Sequence, residues 1–291
     1  MSLSAAPNGA VIVADGGSNT LSRISEDGEI VWRTGGTGQG PGEFQKLYRV
    51  SVSEDGTIVA YDLVSRQLSW FEPTGNFVRR SDVRLSITPL SDIVLLSDRS
   101  LLLAGVVYGI PYSIHRVDEQ GKRLASFGPR PEVRNRRTLR YWGVGGIEIT
   151  SDNTVLFSVK IPYRIYEFFL DGRLRSSWAG SHEFERAPDD AFDIAEGFGQ
   201  VTVSISREFT PFPGAAHDLG DGYVLGQVRT QRDVTVWDIF RSERHVARCE
   251  RPSLGAVVAV DRGKRYLYVS GRTVNENKAY FRIRYTLVGA E

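Results

Sequence analysis

The chain has 291 residues, a formal net charge of +1, 41% hydrophobic and 24% charged residues, and 30 Gly with 12 Pro. That balance is globular, no apolar run of about 18 residues is present to cross a membrane as a helix, and a near-neutral chain has no overall field toward nucleic acid or anionic lipid. A single cysteine, Cys249, excludes a disulfide scaffold and a multi-Cys zinc site.

The first ten residues, MSLSAAPNGA, carry no basic and then apolar run, so no signal peptide is expected in this stretch. From there the chain repeats itself. APNGAVIVAD (6–15) aligns without a gap on SEDGTIVAYD (53–62), and LSRISEDGEIV (21–31) falls on LSWFEPTGNFV (68–78) at the same offset. Each unit has two turn markers, Asn8-Gly9 and Asp27-Gly28, then Asp55-Gly56 and Thr74-Gly75. Gly supplies the positive φ of a tight hairpin turn. Arg99-Ser100 and Gln120-Gly121 mark a third unit, and Asn153 with Asp171-Gly172 a fourth. Asp221-Gly222 and Arg262-Gly263 mark a fifth and a sixth. Between markers sit short β-branched and aromatic runs such as Val11-Ile12-Val13 and Tyr266-Leu267-Tyr268-Val269, which read as strands. No long helical pattern occurs.

Four strands per unit, repeated six times, predict an all-β, six-bladed propeller of four-stranded antiparallel blades in one domain spanning 1–291. The blades are expected at about 1–35, 48–80, 90–128, 144–179, 214–250 and 254–291, with a rim insertion at 179–213. Innermost strands number six, near Leu3, Val50, Ile93, Ile147, His217 and Val257, but outermost strands only five. The last blade is therefore expected to lack its outer strand in this chain, with that strand lying upstream of Met1 in the native protein. Asp15 and Asp62 end second strands, where a carboxylate caps the following turn.

The stretch GGTGQGPGEF (35–44) with VSVSEDGTIVAYDLVSRQLSWFEPTGNFV (50–78) resembles an NHL-type repeat. Gly42, Phe44, Asp55, Gly56, Asp62, Trp70, Phe71 and Gly75 occupy the positions that carry the likeness. The resemblance extends to bacterial six-bladed propellers related to NHL repeats. It implies the fold, slightly favours an exported protein, and says less of function. The glycine-rich segment contains no G-x-G-x-x-G opening a helix and reads as an interblade loop rather than a dinucleotide site.

In such a ring the loops at 34–49, 81–89, 106–112, 128–143, 160–164, 179–213 and 271–278 share one face with the mouth of the central channel, where function is expected. Arg49 and His217, at the starts of innermost strands, are the channel-mouth candidates. Ile110-Pro111-Tyr112 and Ile161-Pro162-Tyr163 repeat, so Tyr112 and Tyr163, the latter beside Arg164, are candidate pocket walls or packing between blades. The Arg-rich loop adds Arg140, Tyr141 and Trp142 as binding candidates. Its arginines face an acidic insertion that contains Glu183, Glu185, Asp189 and Asp190, and pairing between the two is favoured over an anion site. Of the four histidines, His115 and His245 fall on third and outer strands, and Cys249 reads as a small packing residue.

No catalytic constellation, metal ligand set or cofactor is assigned. The chain is expected to be a monomeric, non-catalytic propeller that binds a small molecule, glycan or peptide, or a protein, on its loop-rich face. The resemblance keeps open a metal-assisted lyase or lactonase-type hydrolase using His217 and His182, and, behind it, NHL-type RNA binding by the Arg loop. Charge reversal at Arg136 and Arg137 should loosen the insertion to limited proteolysis; unchanged cleavage rates would count against docking of the two loops.

Overall fold

The computed structural model describes residues 2–130, 145–159, 163–179, 215–229, 235–250, 255–272 and 278–287, and the backbone of short strands at 192–197, 200–205 and 212–213. Blade 1 holds β1 (Ser2–Ala5), β2 (Val11–Asp15), β3 (Thr20–Ile24) and β4 (Ile30–Gly35). Blade 2 holds β5 (Leu47–Val52), β6 (Ile58–Asp62), β7 (Gln67–Phe71) and β8 (Phe77–Asp82). Blade 3 follows with β9 (Ile87–Leu95), β10 (Leu101–Val107), β11 (Ile114–Val117) and β12 (Arg123–Phe127). In blade 4 these are β13 (Ile147–Ile149), β14 (Thr154–Val159), β15 (Arg164–Phe169) and β16 (Leu174–Ala179). The insertion carries its own hairpin, β17 (Phe192–Gly197) with β18 (Gln200–Ile205), and then β19 (Phe212–Pro213). Blade 5 is β20 (His217–Gly220), β21 (Tyr223–Arg229), β22 (Thr235–Arg241) and β23 (Arg244–Glu250). Blade 6 is β24 (Val257–Asp261), β25 (Tyr266–Arg272) and β26 (Lys278–Arg284), three strands among the described residues. The first strands touch in sequence, β1, β5, β9, β13, β20, β24 and back to β1, which closes the ring. The architecture is the all-β six-bladed propeller that the repeats predict, with one strand fewer in its last blade among the described residues.

Most turn markers work as their chemistry requires, since Asn8, Gly9, Gly28, Gly56, Gly75, Arg99, Gly121, Asn153, Gly172 and Asp221 adopt positive φ; in the sixth unit Arg265 does so in place of the expected Arg262-Gly263. Asp15 accepts the Gly17 amide (2.9 Å), and Asp62 accepts those of Val64 and Ser65 on one oxygen and of Gln45 and Lys46 on the other. The glycine-rich segment is an interblade loop in which Phe44 is fully buried. Arg80 of β8 clamps it by donating to Gln39, Gly40 and Glu43 carbonyls.

Three features depart from the expected layout. β9 starts at Ile87, because two register shifts around Gly105 let the segment after Leu85 continue the ladder to Val107, so the 81–89 loop shrinks. The outer hairpin of blade 5 turns through Ser242 and Glu243, both at positive φ without glycine. β19 pairs with β21 beside β20, which gives blade 5 an extra short strand.

The core lies between blades. Ile12, Leu21, Leu47, Ile58 and Phe71 fill the first junction around Phe44, and Phe127, Phe157 and Phe168 the third. Burying a ring of this size stabilises by about 1.5–3 kcal/mol. At the perimeter a second contact recurs. Arg23, Arg79 and Arg116 each donate to a carbonyl of the next blade's outer turn, on Pro73, Glu119 and Leu170, and Arg282 donates likewise to Glu26 of blade 1. Each of these carbonyls lies two residues before a turn glycine, Gly75, Gly121, Gly172 or Gly28.

Gly121 shows how tight that junction is: with φ at 73°, a Cβ there would collide with the Asp82 carbonyl of the preceding blade. Gly28, at φ 89°, has nothing within 4 Å of the same position. Both positions carry the backbone cost of alanine at positive φ, so the difference isolates packing. Gly121→Ala should lose about 1–3 kcal/mol more than Gly28→Ala in denaturant melts; equal losses would mean that the blades yield there.

Candidate functional site

Each innermost strand pairs on one side only, so its other edge presents backbone amides that need acceptors. Side-chain oxygens of the preceding blade supply them. Ser2 and Ser4 accept from Val50 and Val52, and Ser51 accepts from Leu95. Asp92 accepts from Ile147 (3.1 Å), Glu148 from Asp218 (3.1 Å), and Gln227 from Val257 (2.8 Å). These residues enclose a channel of about 750 Å³ bounded by all six blades. A volume of that order matches small-molecule sites. The wall is mixed: Arg49, Glu54, Asp92, Glu148, His217 and Arg262 bring ionisable groups from blades 2 to 6, while blade 1 contributes only Ser2, Leu3, Ser4 and Ala5.

Arg49 is held by two carbonyls, Nε to Ser91 (2.7 Å) and Nη1 to Tyr48 (3.1 Å), with its guanidinium 4.0 Å above the Tyr48 ring. Stacking and the double anchor fix the charge at the mouth. Asp92 sits on the same stretch of wall. Burial there pushes its carboxyl up, against the opposing pull of Arg49, the Ile147 and Ile93 amides, and His217.

His217 occupies a ring position that is aliphatic in the other blades, at Leu3, Val50, Ile93, Ile147 and Val257, and it is 4% exposed. Nδ1 lies 2.6 Å from Glu148 Oε2 and Nε2 lies 3.2 Å from the Val257 carbonyl. Both partners are acceptors, an arrangement suited to an imidazolium that donates from each nitrogen. Burial lowers the imidazole pKa. The charge and hydrogen bond of Glu148, the Val257 carbonyl and the charge of Asp92 outweigh it and raise the value. Gln227 aligns the same group from the other side, with its amide nitrogen donating to Val257 O (2.7 Å). Toward the tight-turn end, Arg262 bridges Asp218 (3.0 Å) and the Ile149 carbonyl (2.7 Å), and Ser151 donates to Asp218 through amide and hydroxyl. Blades 4, 5 and 6 are thus tied through one polar chain.

Of the residues singled out from sequence, Arg49 and His217 meet in this channel. Tyr112 does not; it is 45% exposed and lines a second cavity between blades 3 and 4, of about 490 Å³, with Phe127, Tyr166 and Arg173. Tyr163 is buried between blades with Ile165, Trp178 and Phe240, over Gly226, so the repeated Ile-Pro-Tyr motif builds no shared rim pocket. Arg164 donates to Ser177 on the outer strand of its own blade (3.3 Å). Arg140, Tyr141 and Trp142 lie outside the described residues, as do Arg136, Arg137, His182 and the acidic residues 183–190. His115 is fully buried against Ser126 Oγ; burial first, with Arg123 and Arg130, takes its pKa down to about 4 despite the Gly105 backbone bond. His245 pairs with Asp238 (3.0 Å) on the outer strands, and Cys249 packs partly against the core around Trp237. Among the described residues, no three His, Cys, Asp or Glu side chains converge in a metal-holding group. Sequence reasoning missed Asp92, Glu148, Gln227 and Arg262. Only the placement of Asp92 and Glu148 beside the inner-strand residues Ile93 and Ile147 signalled two of them.

No protein-family model and no curated protein sequence matches the chain. Solved structures do resemble it. Virginiamycin B lyase from Staphylococcus aureus aligns over 92% of this chain and 76% of its own, at 15% identity and a TM-score of 0.53. A gluconolactonase from Xanthomonas campestris aligns over 93% and 82%, at 12% identity and 0.55. The PQQ-bound aldose sugar dehydrogenase of Streptomyces coelicolor aligns over 97% and 92%, at 12% and 0.57. What they share is the propeller. At such identities the likeness shows fold alone.

Because the fold raises the His217 imidazole pKa, chiefly through Glu148 against the effect of burial, its contribution is full below the ordinary imidazole value of about 6.5. It is lost as the pH rises through the raised folded value. Unfolding free energy should therefore fall as the pH rises above about 6.5 toward and through the raised folded value. Glu148→Gln keeps an acceptor for Asp218 but removes the charge; it should lower stability near pH 6 by about 1–3 kcal/mol and flatten the decline. Urea melts across that range check this, and an unchanged slope in the variant would assign the pH dependence elsewhere.

Proposed function

We propose that the chain is a non-catalytic binding propeller that takes a small polar molecule at the channel mouth. Arg49 would receive an anionic or carbonyl oxygen, and the carboxyl groups of Asp92 and Glu148 would meet hydroxyl or amine donors. The observation that carries this reading is the half-open channel bounded by all six inner strands, whose wall carries Arg49, Asp92, Glu148, His217 and Arg262 among apolar positions. His217 argues for binding over turnover: it is nearly buried, and each ring nitrogen already faces an acceptor. A general base needs a nitrogen within reach of substrate.

The resemblance of residues 35–78 to an NHL-type repeat supports kinship with that group of propellers. The lyase and lactonase names among the fold neighbours keep the metal-assisted reading as the alternative. Purified protein should carry no stoichiometric zinc or calcium by elemental analysis. In thermal-shift screening against sugars, sugar acids and short peptides, a ligand should raise the melting temperature in proportion to the logarithm of its concentration. Arg49→Ala and Asp92→Asn should abolish that shift. A shift indifferent to both substitutions would place the site elsewhere, and bound stoichiometric metal would favour the alternative.

A further inference from the structure

The repeated Ile-Pro-Tyr motif leaves one ring buried and the other in water: Tyr163 is 4% exposed and Tyr112 45%. The exposure of Tyr112 does not come from a slack loop. The Ile110 carbonyl accepts from Arg130 Nη1 (3.1 Å), the Ile110 amide donates to Val107 (3.2 Å), and its side chain packs against the core between blades 2 and 3. On the other side Ser113 is fully buried and donates its amide to the Gly128 carbonyl (3.2 Å). Tyr112 is thus presented to solvent between two anchored neighbours, with Pro111 stiffening the step before it.

The cavity of about 490 Å³ that Tyr112 borders has an aromatic floor. Phe127 and Phe168 are buried there with ring centroids 5.4 Å apart, and Tyr166 stacks on Phe168 at 5.9 Å. Polar groups come from the outer turn of blade 4, which is pinned against blade 3. Arg116 donates to the Leu170 carbonyl, and Gly172, at φ 90°, sits flush on the Phe127 ring. Within the turn, one Asp171 oxygen accepts the Arg173 amide (2.9 Å) and the other accepts from Arg173 Nε (2.7 Å). Both side chains are exposed. The Nη nitrogens of Arg173 make no hydrogen bond among the described residues, so the rim offers free donors beside a carboxylate.

Rings for an apolar face and a carboxylate–guanidinium pair for in-plane hydroxyls suit one chemistry best. A pyranose has a face of C–H groups that packs on an aromatic ring, and an equator of hydroxyls that both donate and accept. Neighbouring hydroxyls can meet Asp171 and Arg173 together through charge-assisted hydrogen bonds. A wholly apolar ligand would take water from that pair and replace none of it. A proline-rich peptide would use the rings and offer carbonyls to Arg173, but proline has no amide proton for Asp171. We propose that this interblade cavity is a carbohydrate platform that takes one neutral hexopyranose unit of an oligosaccharide, stacked on Tyr112 with its hydroxyls on Asp171 and Arg173. It shares no lining residue with the central channel, so it stands or falls apart from the channel reading.

The test is saturation-transfer NMR with cellohexaose, maltohexaose and mannohexaose, followed by titration of any sugar that responds. An oligoproline peptide is the competitor. At least one sugar should bind with the millimolar Kd expected of a single open platform. Tyr112→Ala and Arg173→Ala should each weaken it about tenfold or more. Tyr112→Trp should retain binding, which separates the loss of a platform from damage to the fold, and Arg49→Ala should change nothing. No transfer from any of the sugars, binding indifferent to Tyr112→Ala, or loss of binding in Tyr112→Trp overturns the proposal. Binding that disappears in Arg49→Ala also overturns it, by assigning the sugar to the channel and so supporting that separate reading. Oligoproline that displaces the sugar and binds more tightly overturns it in favour of a peptide groove.

Discussion

Everything in this ring depends on what happens to the inner edge of each first strand. A propeller blade pairs outward from the axis, which leaves its innermost amides facing a channel with no further strand to receive them. Unpaired polar groups in such a place cost about 1–3 kcal/mol each when dry. The chain answers with side chains: serines in blades 1 and 2, carboxylates in blades 3 and 4, and an amide in blade 5. Gln227 goes furthest, offering Val257 both an acceptor and a donor as a neighbouring strand's peptide would. The residues that build the candidate site are therefore the ones that hold the ring. Asp92 and Glu148 face the channel because an amide of the next blade needs them.

That double duty explains much of the charge on the channel wall. Blade 1, which stitches with Ser2 and Ser4, adds no charge to the wall, and where Asp and Glu do the stitching cations gather beside them. Arg49 stands by Asp92, and His217 and Arg262 gather on Glu148 and Asp218. The outer rim uses a different logic, with arginines reaching turn carbonyls and glycines allowing close approach. A carboxylate could be exchanged in the channel at electrostatic cost, but a side chain at Gly121 meets backbone.

The sequence made the ring legible because turns announce themselves. Asn8-Gly9, Asp55-Gly56 and Asp171-Gly172 need positive φ, and few residue types provide it. Ser242-Glu243 hid because neither residue advertises that conformation, although the flanking register supplies it. The site was far less legible. Glu148 and His217 are 69 positions apart, and their pairing follows from blade adjacency rather than any local spacing. The two Ile-Pro-Tyr motifs misled for a related reason. Identical words end in different places: Tyr163 finds the gap left by Gly226 in the middle of an apolar strand, and Tyr112 stays in solvent. A glycine inside YVLGQV was the available hint, since glycine in a strand interior often marks close approach.

The stitching along the channel also has a direction. For the inner-edge amides of Val50, Val52, Leu95, Ile147, Asp218 and Val257 the acceptor comes from the earlier blade, whereas the Ser151 amide of blade 4 runs the other way, to Asp218 of blade 5. Synthesis proceeds from the same end, and domains order themselves as chain emerges. Each new inner strand thus leaves the ribosome toward a neighbour whose side-chain oxygens are already in position, while the Ser151 amide gains its acceptor only when blade 5 arrives. Assembly can advance as a ratchet, blade by blade, until β24 comes to rest beside β1.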